Sequence, residues 1–188
     1  MSAPGVILGV DPGTATMGWG VVRLVGHGRV RYVQHGAIRT PPAWEMPRRL
    51  SRLFDALAEV LDGYEPEAVA IEDLFFNRNV TTAISVGQAR GVALLAAHRA
   101  ALPIFEYTPL QVKQAITSYG RADKHQVQEM VKRLSNLPEI PRPDDAADGL
   151  AIAMCCAFSM LRRLLNRGRT AQPPASRPQA MSFPNDCA

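Results

Sequence analysis

Hydrophobic and polar positions follow two different periods along this chain. Residues 6–10, Val-Ile-Leu-Gly-Val, form a short unbroken apolar run that stops at Asp11-Pro12-Gly13. That pattern predicts a buried central strand followed by a turn. Residues 17–25 and 29–39 are rich in Val, Trp and Tyr and predict two further strands, with Gly26-His27-Gly28 as their hairpin turn. Pro41-Pro42 closes this block, and the spacing then becomes helical: Leu50, Leu53, Phe54, Leu57 and Leu61 share one face. Residues 68–71 predict a second buried strand ending in Glu72, residues 81–100 a long helix, and residues 102–107 a short strand of parallel type. Thr108-Pro109 supplies an N-cap and a first-turn proline. Asp123 and Gln126 have capping-box spacing, ahead of a helix with Val127, Met130, Val131 and Leu134 on its buried side. After a connector stiffened by Pro138, Pro141 and Pro143, a last helix starts near Asp144 and turns Leu150, Met154, Ala157, Phe158 and Leu161 inward. The order predicts an α/β fold: a five-stranded mixed sheet, an antiparallel meander joined to parallel strands, flanked by helices.

The 188 residues suit one domain, placed at residues 1–167. Residues 168–188 are rich in Pro, Ala, Gln and Ser without periodicity and read as a disordered tail. The longest apolar run, 149–161, falls short of the ~20 residues a membrane span needs, so it reads as a buried helix and the membrane is excluded as a partner. The N-terminus has no basic stretch of the signal-peptide kind. Cys155 and Cys156 neighbour each other on the predicted buried helix and Cys187 lies in the tail, the pattern of core thiols in a reducing cytoplasm.

The acids change the picture more than the composition does. Two apolar strands each end in a carboxylate, Asp11 and Glu72, and ligand sites in open α/β sheets lie at the carboxyl ends of parallel strands. Asp145 and Asp148 stand three apart at the opening of the last helix, on one face of its first turn. Four carboxylates together repel and raise one another's pKa, and a hard divalent cation relieves the conflict. Two such ions about 3.5–4 Å apart can stabilise both oxygens of an in-line phosphodiester displacement. Setting four of the 17 acids aside leaves 13 against 21 bases, an excess that suits a polyanionic partner. Each acid alone has a plainer reading: Asp11 as a turn residue, Asp144 or Asp145 as an N-cap, Asp148 as an acid near the positive end of a helix.

The blocks VILGVDPGTATMGWGVV, AIEDLFFNRNVTTAISVGQARGVALLAA, YTPLQVKQAITSYGRADKHQVQEMV and DDAADGLAIA together resemble the RuvC family of Holliday-junction resolvases, collinearly from about residue 5 to 165. The resemblance implies an RNase H-like fold, a homodimer, and Mg²⁺- or Mn²⁺-dependent paired incision of four-way DNA junctions in recombination and repair. It implies two ions per active site and work in the cytoplasm alongside the RuvA and RuvB branch-migration proteins. Asp11, Glu72, Asp145 and Asp148 match the family's catalytic, metal-binding acids. Phe75 matches its base-stacking aromatic, and Lys113 and Lys124 match basic residues near the scissile backbone. Asp73 and Asp144 add acids beside the matched positions.

Phe75 and Phe76 are equally readable as core, and Lys113 and Lys124 as solvated charge. Arg78 and Arg121 are further candidates for phosphate contact. His27, His35, His98 and His125 lack metal-ligand spacing. Gly87 and Gly91 fit either close packing on the sheet or close approach of a second subunit through residues 82–95. Three other functions compete, and the last of them survives best. A sugar-kinase-like phosphotransferase also starts with an Asp-x-Gly-Thr turn, but it needs a second domain and another Gly-rich loop. A binding module that has lost its chemistry would lack a carboxylate. An RNA-processing nuclease of the same fold would share the same acids.

Overall fold

A computed structural model describes residues 5–25, 29–73 and 80–170, with the backbone alone described for 80–82 and 164–170. Strands β1 (Val6–Asp11), β2 (Thr16–Val25) and β3 (Arg29–Arg39) form the meander. They are followed by α1 (Met46–Tyr64), β4 (Ala68–Glu72), α2 (Val80–Arg99), β5 (Ile104–Tyr107), α3 (Pro109–Thr117), α4 (Lys124–Ser135) and α5 (Asp144–Thr170). The sheet order is β3-β2-β1-β4-β5, as the predicted mixed sheet requires. β1 and β4 are parallel neighbours with Val10 opposite Ile71, so Asp11 and Glu72 follow side by side.

Each sheet face has its own core. Ile7, Val22, Ala68 and Ala70 meet α3, α4 and α5, while Leu8, Val10, Val21 and Ile71 meet α1 and α2. On the first face α5 runs unusually close to the strands. A Cβ on Gly9 would strike the backbone of Gly149 and Ala153, one on Gly18 the backbone of Asp145, and one on Gly20 the backbone of Leu150. Gly149 reciprocates, since a Cβ there would lie 2.6 Å from Trp19 Cα. The glycines therefore let helix backbone rest on strand backbone. Both capped helices begin as their sequences dictate: Asp123 and Gln126 close a capping box on α4, and Thr108 and Gln111 close another on α3.

Some boundaries differ from expectation. β5 begins at Ile104 rather than 102, because the Leu102 amide donates to Ala97 O at the end of α2 and Pro103 has no N–H to offer a ladder. Helix α5 extends to Thr170, beyond the expected boundary at 167. Phe158 and Leu161 are half-buried rather than fully inside, and Phe158 borders an open cavity between α3 and α5. Gly91 is exposed with nothing within 4 Å of its would-be Cβ, so close packing on the sheet is not its reason. The hairpin turn at 26–28, Phe75, Phe76, Arg78 and Cys187 lie outside the described residues. Among the described residues, no helix is long and apolar enough to cross a membrane.

Candidate active site

Strands β1 and β4 deliver their terminal acids to one sheet edge, and the α5–glycine seam holds the start of α5 against it. The result is a cavity of about 240 Å³ whose walls include Asp11, Glu72, Asp148, Lys113 and Lys124. Val112 and Val127, from α3 and α4, close its apolar side. Three of the four expected acids thus share a cavity. Asp145 is not among its wall residues, although its charge still acts on Asp11. Among the described residues, no three His, Cys, Asp or Glu side chains stand as a ready-made ligand cage. Lys124 Nζ lies 3.1 Å from Asp148 and 3.8 Å from Asp144, so an ammonium sits among these carboxylates.

Electrostatics record the crowding. Burial, reinforced by the charges of Glu72, Asp148 and Asp145, pushes Asp11 up to about 8 against the weaker pull of Lys124. Burial and Asp148 raise Glu72 to about 7, opposed by a hydrogen bond with Asp11 and by Lys113. Asp148 is also raised by burial, with Lys124 pulling the other way. Burial pulls Lys124 down, but Asp148, Asp144 and Asp145 together hold its ammonium above the usual lysine range. An all-oxygen donor set that retains protons near neutrality suits a hard divalent cation, which would displace those protons.

The two supernumerary acids have partners of their own. Asp144 pairs with Arg142 at 3.4 Å as well as with Lys124. Asp73 faces Arg90 of α2 at 3.5 Å, and the same guanidinium pairs with Glu106 at 2.8 Å. Arg90 therefore ties α2 to the ends of β4 and β5 and neutralises the acid next to Glu72. Sequence reading missed Arg90, because its partners lie 16 and 17 positions away and no local pattern links them. Arg121 is exposed on the turn before α4, outside the cavity wall. His125 is exposed beside Lys124. Cys155 and Cys156 are buried, and burial pushes their thiols up to about 12 and 11, far from a reactive thiolate.

This sheet order, with acids ending adjacent parallel strands and a helix opening beside them, defines an RNase H-like nuclease domain. The family described as crossover junction endodeoxyribonuclease RuvC matches residues 7–156, and the chain belongs to that family. A crossover junction endodeoxyribonuclease RuvC of Rubrobacter xylanophilus is 75% identical over 154 residues, covering 82% of this chain and 86% of that protein. Its counterpart in Desulfitobacterium hafniense is 56% identical over 162 residues, covering 86% and 96%. Among solved structures, Thermus thermophilus RuvC in complex with a Holliday junction substrate aligns with a TM-score of 0.79 at 40% identity, covering 84% of this chain and 96% of that one. The yeast mitochondrial Holliday junction resolvase Ydc2 shares the fold, with a TM-score of 0.61 at 14% identity over 87% of this chain and 85% of its own.

Proposed function

We propose that this chain resolves Holliday junctions by divalent-metal-dependent, paired incision of two DNA strands. The observation that carries the reading is the single cavity in which Asp11, Glu72 and Asp148 meet Lys113 and Lys124. In this reading Asp11, Glu72 and Asp148 hold Mg²⁺ or Mn²⁺, with Asp145 joining from the same helical turn and two ions bound per site. When bound, the metal lowers the pKa of a water and offsets charge on the phosphate. Lys113 and Lys124 would orient the scissile phosphate from the cavity wall, and Lys124, paired with Asp148 and Asp144 in this structure, would offer its ammonium to phosphate oxygens when those carboxylates hold a cation. Arg121 and Arg78 contact flanking phosphates. Phe75 stacks on a base near the junction centre, worth ~1–3 kcal/mol by analogy with single-strand binders.

Paired incision calls for two copies. On α2, Ile84, Gln88, Gly91 and Leu95 are all exposed and recur at helical spacing, while Ala89, Ala93, Ala96 and Ala97 bury the other side. Ile84 is 59% and Leu95 52% exposed, and two exposed apolar side chains flanking Gln88 and Gly91 suit a second copy of the same helix. A homodimer on this side of α2 would present two cavities to a junction of near two-fold symmetry, in the cytoplasm alongside RuvA and RuvB.

Purified protein incubated with a synthetic four-way junction, a linear duplex and an RNA hairpin, in Mg²⁺, Mn²⁺ or EDTA, tests the reading. Symmetric cutting of the junction alone, and only with metal, is expected; equal cutting of all three substrates would remove the assignment. Asp11→Asn and Asp148→Asn should abolish cutting yet leave junction binding in EDTA intact, because neither removes a positive charge.

A further inference from the structure

Two groups of arginines outside the catalytic reading stand at opposite ends of the β2–β3 strands. One group lies at the active-site end of the sheet: Arg39 ends β3, and Arg48, Arg49 and Arg52 occupy the first two turns of α1. The other, Arg23, Arg29 and Arg31, is exposed near the β2–β3 hairpin, with Arg23 directly opposite Arg31. On the β2–β3 register the two groups are separated by roughly 23–30 Å along the strands.

The first group is tied to the catalytic strand. Arg49 Nε donates to Thr40 Oγ1 at 2.8 Å, and that hydroxyl donates to the carbonyl of Thr14, in the turn that leaves Asp11. The Arg48 guanidinium lies 3.9 Å over the Trp44 ring, held by cation–π attraction with its N–H edge unspent on any carboxylate. Among the described residues, ion pairs form at Arg90, Lys124 and Arg142 and at none of these four arginines. Their placement also works against the helix. The first turn of α1 contains no acid, so only the N-cap Glu45 offsets the positive charge that Arg48 and Arg49 put at the positive end of its dipole. Charges held by a ring and a hydroxyl, unpaired, and costly to their own helix are poised for an external polyanion.

We propose that Arg39, Arg48, Arg49 and Arg52, with Trp44 as the shelf beneath Arg48, form a backbone track for one junction arm. The track leads from the acid-lined cavity across the Asp11–Thr14 turn to the α1 side of the sheet. It rests on the junction-endonuclease reading and adds where the duplex beyond the cut runs.

The test compares Arg48→Ala/Arg52→Ala with Arg29→Ala/Arg31→Ala. Binding of a labelled four-way junction and of a linear duplex is measured in EDTA across salt, with melting midpoints for each variant. The α1 pair should flatten the log–log salt slope by about 2 and weaken binding roughly tenfold or more at about 0.1 M salt. It should raise KM for cutting and leave kcat unchanged. The hairpin pair should change none of these. The melting midpoint of the α1 pair should hold or rise, since the charge removed at Arg48 opposes the helix dipole. Equal losses in the two pairs, or an unchanged slope in the α1 pair, would overturn the track. So would a lowered midpoint, which would assign these arginines to structure. The duplex slopes report on the track even if the wild-type protein proves unable to cut junctions, an outcome that would sink the endonuclease reading instead.

Discussion

The two faces of the sheet are packed by opposite means. On the α5 face, helix backbone rests on strand backbone through Gly9, Gly18, Gly20 and Gly149. On the α1 and α2 face, side chains fill the gap: Leu53, Leu57, Leu61, Met17 and Val21 are buried in one apolar cluster, and Trp19 tilts against Tyr64 with ring centroids 5.6 Å apart. A backbone contact has no rotamers and cannot yield, whereas a layer of branched side chains can repack. The rigid seam is the one that brings Asp148 to Asp11 and Glu72. The adaptable face carries the features that would meet other molecules, the exposed side of α2 and the α1 arginines. Rigidity here is concentrated where carboxylate positions matter to a fraction of an ångström.

One methyl group should break this contrast most visibly. Gly20→Ala would place a Cβ 2.6 Å from the Leu150 backbone nitrogen, which a flexible side chain cannot relieve. A loss of ~1–3 kcal/mol or more in urea unfolding is expected, together with a steep drop in cutting as the start of α5 lifts from the strand ends. Leu57→Met, in the fully buried centre of the other face, keeps volume and should cost under ~1.5 kcal/mol with cutting unchanged. If Gly20→Ala cuts normally, the seam does not set the site.

The smallest effect sharpens the comparison at the cavity itself. Asp11 and Glu72 sit near 8 and 7, above their ordinary 3.8 and 4.5. The folded chain therefore keeps protons that the unfolded chain has already released. Their contribution to stability is intact below about pH 4 and is lost progressively as pH rises toward 8. A divalent cation binds the ionised carboxylates, so its stabilisation should grow over the same window. Melting in EDTA should drop by several degrees between about pH 5.5 and 8, and Mg²⁺ should restore more at the higher pH. Asp11→Asn should flatten both trends. A metal-free midpoint that climbs across this window would show that the acids are not strained.

Much of the fold was legible locally. Apolar runs closed by Asp11 and Glu72 mark the central strands, and the Asp123–Gln126 box marks the start of α4, because these signals lie within a few residues of what they control. The sequence by itself thus determined which carboxylates end strands, where α3, α4 and α5 start, and to which family the motif order belongs. Only the tertiary structure decided that Asp148 enters the cavity wall while Asp145, in the same helical turn, does not. It also decided that Asp73 is held by Arg90 and Glu106 shares the same guanidinium, and that Arg49 reaches the Asp11 turn through Thr40. Those outcomes depend on strand register and on how closely α5 settles onto glycines, both fixed by contacts between residues far apart in the chain.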